Sequence, residues 1–210
     1  MEKIIIIGAG GYAKSVLDSV DYYNYRIKGF LDEFCMDEEH LGYPILWHSL
    51  DEVENPEKYF YFVSIGDNMR RKVWYDRLKA KHLRLLNVVD KSAIISPEAK
   101  IGSGCFFGKM SVVNSNAIIG DNCIINTKSL VEHGCIVHNH ANISTNAVIN
   151  GDVEVGEGAF VGSSSVTIGQ RTIGDWAIVG AGAVVISNVA SKVTAAGIPA
   201  KVIREGIRQD

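Results

Sequence analysis

From Ala117 to Val137 the chain reads AIIGDNCIINTKSLVEHGCIV, and every sixth residue from Ile119 is a large aliphatic: Ile119, Ile125, Val131 and Val137. Carried outward in both directions, the same count visits sixteen positions from Ile95 to Val185, and fifteen are apolar, Thr167 being the exception. In a chain that is 47% apolar, chance supplies about seven or eight. Two residues before each large one runs a column of mostly small side chains, including Cys105, Ala117, Cys123, Ser129, Cys135 and Ala141. The slot directly after the large residue is Gly seven times and Asn three times.

A six-residue period is neither the helical 3.6 nor the strand alternation of 2. It suits a short extended stretch followed by a corner, with the large and the small residue both pointing inward. Gly or Asn after the large residue is expected to take a corner backbone shape that other residues resist. Three such units close a triangular coil, and coils stacked about 4.8 Å apart pair each strand with those above and below. The pattern predicts a hexapeptide-repeat solenoid, a left-handed parallel β-helix. Residues 95–190 supply a little over five coils.

The rest of the composition excludes several classes of partner. With 21 basic and 24 acidic residues the net charge is −3, which gives no polybasic footprint for nucleic acid or an anionic membrane. The opening MEKIIIIGAGG has an apolar run too short for a signal peptide or a membrane span. Of the four cysteines, Cys105, Cys123 and Cys135 fall in the small inward column and Cys35 stands alone, so neither a metal site nor a disulfide framework is expected. The cytoplasm is the natural setting.

Residues 1–88 follow another grammar and are expected to form a small Rossmann-like α/β domain, with 89–210 as the solenoid domain. Lys3–Ile7 reads as a buried strand, followed by a glycine turn and an amphipathic stretch over about 12–22. Further strands are expected near 26–31 and 59–64, with a helix to about residue 82. Alternating strand and helix argues for a parallel sheet with helices on its faces. The turn Gly8-x-Gly10-x-x-Ala13 is a dinucleotide-type fingerprint, in which glycines let main-chain N–H groups approach a pyrophosphate. A tight strand–helix turn with no ligand is the plainer alternative. Asp32, at the end of the second strand, is placed to bond a ribose or base, and Gly66-Asp67-Asn68 closes the third strand. Fewer than 90 residues make only one mononucleotide-binding half, so a nucleotide-sugar fits better than a dinucleotide.

Inside the solenoid, the informative places are those that break the repeat. The corner slot is Glu132 in one hexad and His138 in the next, and His133, His138 and His140 fall within eight residues. Gly151, one coil above His133, and Ser115, one coil below, leave room beside the imidazole. The spacing of the histidines does not suit a metal, and His138 and His140 read most simply as exposed corner residues. At Thr167-Ile168-Gly169 the large residue and its corner look slipped by one place, as a local bulge would produce.

Together, the GAGG-type turn, the uninterrupted hexads, the Val131-Glu132-His133 corner and the final Ala196-Gly197-Ile198-Pro199-Ala200-Lys201 resemble the hexapeptide-repeat sugar acyltransferases of the sialic-acid O-acetyltransferase type. That group includes N-acetyltransferases acting on UDP-4-amino sugars and on GDP-perosamine. The resemblance implies a homotrimer with acetyl-CoA in the groove between adjacent solenoids. It implies His133 as catalytic base, and Gly8, Gly10, Gly11 and Tyr12 around the substrate's diphosphate. It implies Asp32 and Glu33 at the base, with Gly66, Asp67 and Asn68 nearby, and Asn142, Gly151, Ser163 and Ala181 against CoA. No metal is implied.

Three positions depart from the group's pattern. Gly134 stands where an acidic residue commonly orients the histidine, leaving Glu132 or a carboxylate elsewhere to do so. Tyr12 and Asn142 each replace a histidine. The reading is acetyl transfer from acetyl-CoA to the amino group of a nucleotide-linked sugar in polysaccharide biosynthesis. O-acetylation of a sugar or sialic acid, or a catalytically weak trimer that only binds nucleotide-sugar, are the alternatives.

Overall fold

The computed structural model describes residues 1–206. In the N-terminal half, β1 (Glu2–Ile7), β2 (Tyr25–Leu31), β3 (Glu39–His40), β4 (Tyr43–Trp47), β5 (Phe60–Val63) and β6 (Arg84–Leu85) form one sheet in the order β3-β4-β2-β1-β5-β6. All pairs are parallel except the β3–β4 hairpin. β1 is central, and its alternate residues feed two cores. Ile4 and Ile6 meet Ala13, Val16 and Leu17 of α1 (Tyr12–Leu17), while Ile5 and Ile7 meet Trp74 and Leu78 of α2 (Asn68–Ala80). A strand buried on both faces has no polar side to show, hence the unbroken run of four isoleucines. Helix α1 is shorter than the amphipathic stretch suggested. Past Leu17 the Asp21 carboxylate accepts from Tyr23 N and Asn24 Nδ2, a local alternative to helical bonding.

From Val88 onward, two-residue strands recur every six residues and stack in parallel on three flat faces. Partners lie eighteen residues apart, as in Phe106↔Ile124 and Ile124↔Asn142. The second residue of each pair points inward, and these residues with the small column make one continuous core. Outward, the first face carries Phe106, Ile124, Asn142, Phe160 and Ile178. The second carries Ile94, Val112, Leu130, Val148, Val166 and Val184. The third carries Lys100, Ile118, Ile136, Glu154 and Thr172.

Two expectations about the coils need correction. The left-handed backbone position is not the glycine slot but two residues later, recurring from Gly104 to Gly182, and most of its occupants are not glycine. Met110, Lys128 and Trp176 adopt it, each at a local cost of about 1 kcal/mol. The N–H there bonds the coil below, as Asn122 does to Ser103 O at 2.8 Å and Trp176 to Glu157 O at 2.8 Å. The slot glycines answer a different need. A Cβ on Gly102 would stand 2.5 Å from Asp121 Oδ1, and one on Gly156 2.5 Å from Asp175 N. They are required by the closeness of the next coil. The slip at Thr167 is likewise absent: Val166–Thr167 pairs in register with Val148–Ile149 and Val184–Val185, and Thr167 points inward with its hydroxyl unpartnered.

The halves share a seam along the first face. Phe106, Ile124 and Val88 join the core of Ile4, Ile6 and α1. Fully buried Arg71 donates to the carbonyls of Ile65, Gly66, Asn122 and His140. At the lower end Ser19 donates to buried Asp90 at 2.8 Å, and Lys109 pairs with Asp18 at 2.8 Å.

Candidate active site

A cavity of about 530 Å³ opens at the carboxyl ends of β1, β2 and β5, where the chain leaves β1 toward opposite sides of the sheet. Such crevices are where open α/β sheets bind ligands. Gly8 enters the turn at φ +97°, and a Cβ there would meet Ile65 Cγ1 at 2.7 Å, so only glycine fits. Gly10 and Gly11 have nothing within 4 Å of a would-be Cβ, which leaves their main chain open to the cavity.

The expected side chains around this cavity divide sharply. Asp32 lines it, but its carboxylate is committed: Oδ2 accepts Ala9 N at 2.7 Å, and Oδ1 accepts Phe34 N and Cys35 N at 2.9 Å. Burial pushes this carboxyl up, yet the three N–H donors and nearby Arg70 outweigh it, leaving the group below its ordinary range. Glu33 is bound by Arg77 at 2.7 Å. Tyr12 lines the cavity too, but its hydroxyl is buried without a partner and its ring stands edge-on to Phe106 at 5.4 Å. Burial drives the phenol far up. Gly66 is open, and Asp67 caps α2 by accepting Arg70 N at 2.7 Å. Asn68 is turned into the seam, donating to Gly158 O at 2.9 Å and Ala159 O at 3.2 Å.

His133 stands at the corner between the second and third faces, with its side chain 65% exposed. Its Nδ1 donates to Glu132 Oε2 at 3.1 Å, and its main-chain N–H reaches the same oxygen at 3.1 Å. These bonds, with one from Asn114, hold the Glu132 carboxyl below its usual range. The remaining nitrogen, Nε2, lies over Gly151, where a Cβ would come within 2.7 Å of both Nε2 and Cε1. An orienting carboxylate is therefore present, one residue before the histidine. Gly134 has φ +67°, and a Cβ there would run into the Asp152 carboxylate, so that position is closed to an acidic side chain.

The other two histidines part company. His138 is exposed and bonds Glu154 Oε1 through Nε2 at 2.7 Å. His140, expected at the surface, is only 3% exposed. Its Nδ1 accepts from Asn122 Nδ2 at 2.9 Å, and its ring meets Tyr75 of α2 edge-on at 5.4 Å. Burial, with Lys72 and Arg71 nearby, lowers its pKa to about 4. The helix docked on that corner, which no repeat pattern reveals, is what buries it.

The positions expected against CoA are spread over the solenoid. Asn142 lies on the first face with its Oδ1 buried and unpartnered. Ser163 and Ala181 sit one coil apart at the corner of the first and second faces, with Ser163 Oγ 2.9 Å from Ser144 Oγ. Gly151 is at the far edge of the second face, beside His133. One chain does not bring these four together. Sequence reasoning overlooked Arg70 and Phe34, which also line the cavity. A cation as the third residue of α2, where the helix dipole disfavours positive charge, was the available signal. Among the described residues no cluster of His, Cys, Asp and Glu is arranged to hold a metal ion, and no helix is long and apolar enough to cross a membrane.

Comparison with known proteins adds independent findings. Residues 3–78 match the PglD N-terminal domain, and residues 98–133 match the bacterial transferase hexapeptide (six repeats). A mutant of perosamine N-acetyltransferase from Caulobacter crescentus, solved with CoA and GDP-perosamine, superposes with a TM-score of 0.88 at 30% identity, covering 100% of this chain and 98% of that one. The acetyltransferase domain of PglB from Neisseria gonorrhoeae with acetyl coenzyme A gives 0.91 at 30% identity, covering 96% and 99%. An uncharacterized protein of Acanthamoeba polyphaga mimivirus, L142, is 28% identical over 109 residues, which are 51% of this chain and 21% of that protein's length.

Proposed function

Because the chain belongs to the hexapeptide-repeat sugar acetyltransferases with a PglD-type N-terminal domain, we propose that it transfers the acetyl group of acetyl-CoA to an amino group on a nucleotide-linked sugar, of the UDP-4-amino-sugar or GDP-perosamine type. The observation that carries this reading is the His133 imidazole, bonded by Glu132 at Nδ1 and laid over a residue with no side chain, in a chain alike over its whole length to an enzyme captured with CoA and GDP-perosamine.

Acetyl-CoA supplies a thioester whose carbonyl carbon the sugar amine can attack. With its Nδ1 proton directed at Glu132, His133 presents the Nε2 lone pair and accepts the proton that the amine loses on forming the C–N bond. As the C–S bond breaks, the same nitrogen returns that proton to the departing thiolate. The main-chain N–H of Gly151 is our candidate donor for the charge that develops on the carbonyl oxygen. With Glu132 orienting the base, Gly134 no longer argues between amine and hydroxyl acceptors. The preference for the amine rests on the N-acetyltransferase likeness.

The same reading makes the protein a homotrimer with sites shared between copies. The nucleotide cavity belongs to the half packed on the first face, whereas His133 sits at the corner across the prism from that face. The second face, flanked by Gly151 on one edge and by Ser163 and Ala181 on the other, presents six outward residues that are all aliphatic. A second copy laid there covers that stripe and closes a groove for CoA. Free, buried Cys105, Cys123 and Cys135 support a cytoplasmic setting, and the product suits polysaccharide assembly. The test is a panel of UDP- and GDP-linked amino sugars with acetyl-CoA, following release of the CoA thiol, beside light scattering for a particle of three times 22.9 kDa. Turnover of none of the amino sugars, or a stable monomer at micromolar concentration, sinks it.

A further inference from the structure

Resting on the nucleotide-sugar reading, we infer that Arg70 is the side chain that recognises the diphosphate. Three carboxylates line the cavity: Asp32, Glu33 and Asp67. Asp32 accepts from three main-chain N–H groups, tying the loop after β1 to the loop after β2. Glu33 is neutralised by Arg77 at 2.7 Å, and Asp67 serves the N-terminus of α2. None of the three offers a diphosphate a donor, since an ionised carboxylate only accepts.

Among the described residues that line the cavity Arg70 is the one cation, and it is differently placed. The ion pairs of α2 are made by Lys72 and Arg77; Arg70 instead lies over the exposed Phe34 ring, with its guanidinium carbon 5.5 Å from the centroid. Stacking leaves the N–H fork of an arginine free in its own plane. The open glycine turn lines the same cavity. A diphosphate laid on the Gly10–Gly11 main chain then meets the guanidinium, the geometry that favours bidentate phosphate binding. Arg70 is the positive charge this lining offers a polyanion, and removing it deepens a lining that is already net negative.

Calorimetry on the whole protein tests this, with UDP and GDP as diphosphate probes and uridine and guanosine as their phosphate-free counterparts. For whichever diphosphate the wild type binds, Arg70→Ala is expected to raise Kd by about 10–100-fold while changing nucleoside Kd by less than about twofold. Arg70→Lys is expected to recover part of the loss, since it keeps the charge and not the fork. Cys35, half-buried in the same cavity, gives a second readout: a diphosphate that slows its alkylation in the wild type should fail to do so in Arg70→Ala at equal concentration. Unchanged diphosphate affinity in that variant, or an equal loss for nucleoside and diphosphate, overturns the role of Arg70 alone. A wild type that binds neither diphosphate overturns the nucleotide-sugar reading with it.

Discussion

His133 and His140 sit seven residues apart on consecutive corners of one solenoid, and they could hardly differ more. The first is exposed, bonded to a carboxylate, and faces a bare glycine. The second is buried under α2, accepts from an amide, and is held neutral with a pKa near 4. Both stand at corners of the coil, one backbone place apart: His140 takes the left-handed position (φ +64°), which beside His133 falls to Gly134. What distinguishes them is what leans on each corner from outside: nothing among the described residues at His133, and the N-terminal half at His140. Function in such a fold is assigned by the layer around the coil.

The comparison breaks most directly at His133. His133→Ala is expected to lower kcat by roughly 10²–10⁴ with little change in KM for acetyl-CoA, and to leave the protein folded and trimeric. Near wild-type turnover in that variant would move the chemistry elsewhere. Gly151→Ala asks whether the ring's position matters as much as its presence. The new methyl occupies the space of Cε1 and Nε2, so kcat is expected to fall by about 10²-fold while denaturation midpoints barely move.

His140→Ala should invert that signature, with turnover per folded protein kept and stability lowered by about 2–4 kcal/mol, through a cavity under Tyr75 and an unpaired Asn122 amide. Urea titration measures this beside initial rates; a large loss of turnover without a loss of stability contradicts the structural role.

The smallest effect is a pH slope. Because the folded His140 pKa is depressed from 6.5 to about 4, the unfolded chain binds more protons between those values. Its contribution is fully present above pH 6.5 and is lost as pH falls toward 4, a trend that His140→Ala should flatten. An equal slope in both proteins assigns the acid sensitivity to other groups.

The period in Ile95–Val185 made the solenoid legible because each coil restates the same requirement, so a single lapse such as Thr167 costs no register. The glycine turn was legible for a different reason: Gly8 is forced by Ile65, and such constraints leave a motif. What stayed hidden depends on side chains meeting across elements distant in sequence. Nothing near Asp32 announces that Ala9, Phe34 and Cys35 consume its carboxylate, and nothing near His140 announces α2. The corner glycines were found for the wrong reason, since a close approach and a left-handed turn leave the same letter. Gly134 read as a missing carboxylate because sequence does not show that Asp152 occupies the space.

Arg71 binds the carbonyls of both Asn122 and His140, eighteen residues and one coil apart. A guanidinium that grips two successive rungs works as a detent: the N-terminal half can sit at one height on the column and at no height between rungs. In the proposed trimer, the span from the diphosphate to the neighbouring His133 is then counted in whole coils of about 4.8 Å. Inserting one eighteen-residue coil between residues 122 and 133 would change that span by a full step, so the solenoid doubles as a ruler for the sugar it can serve.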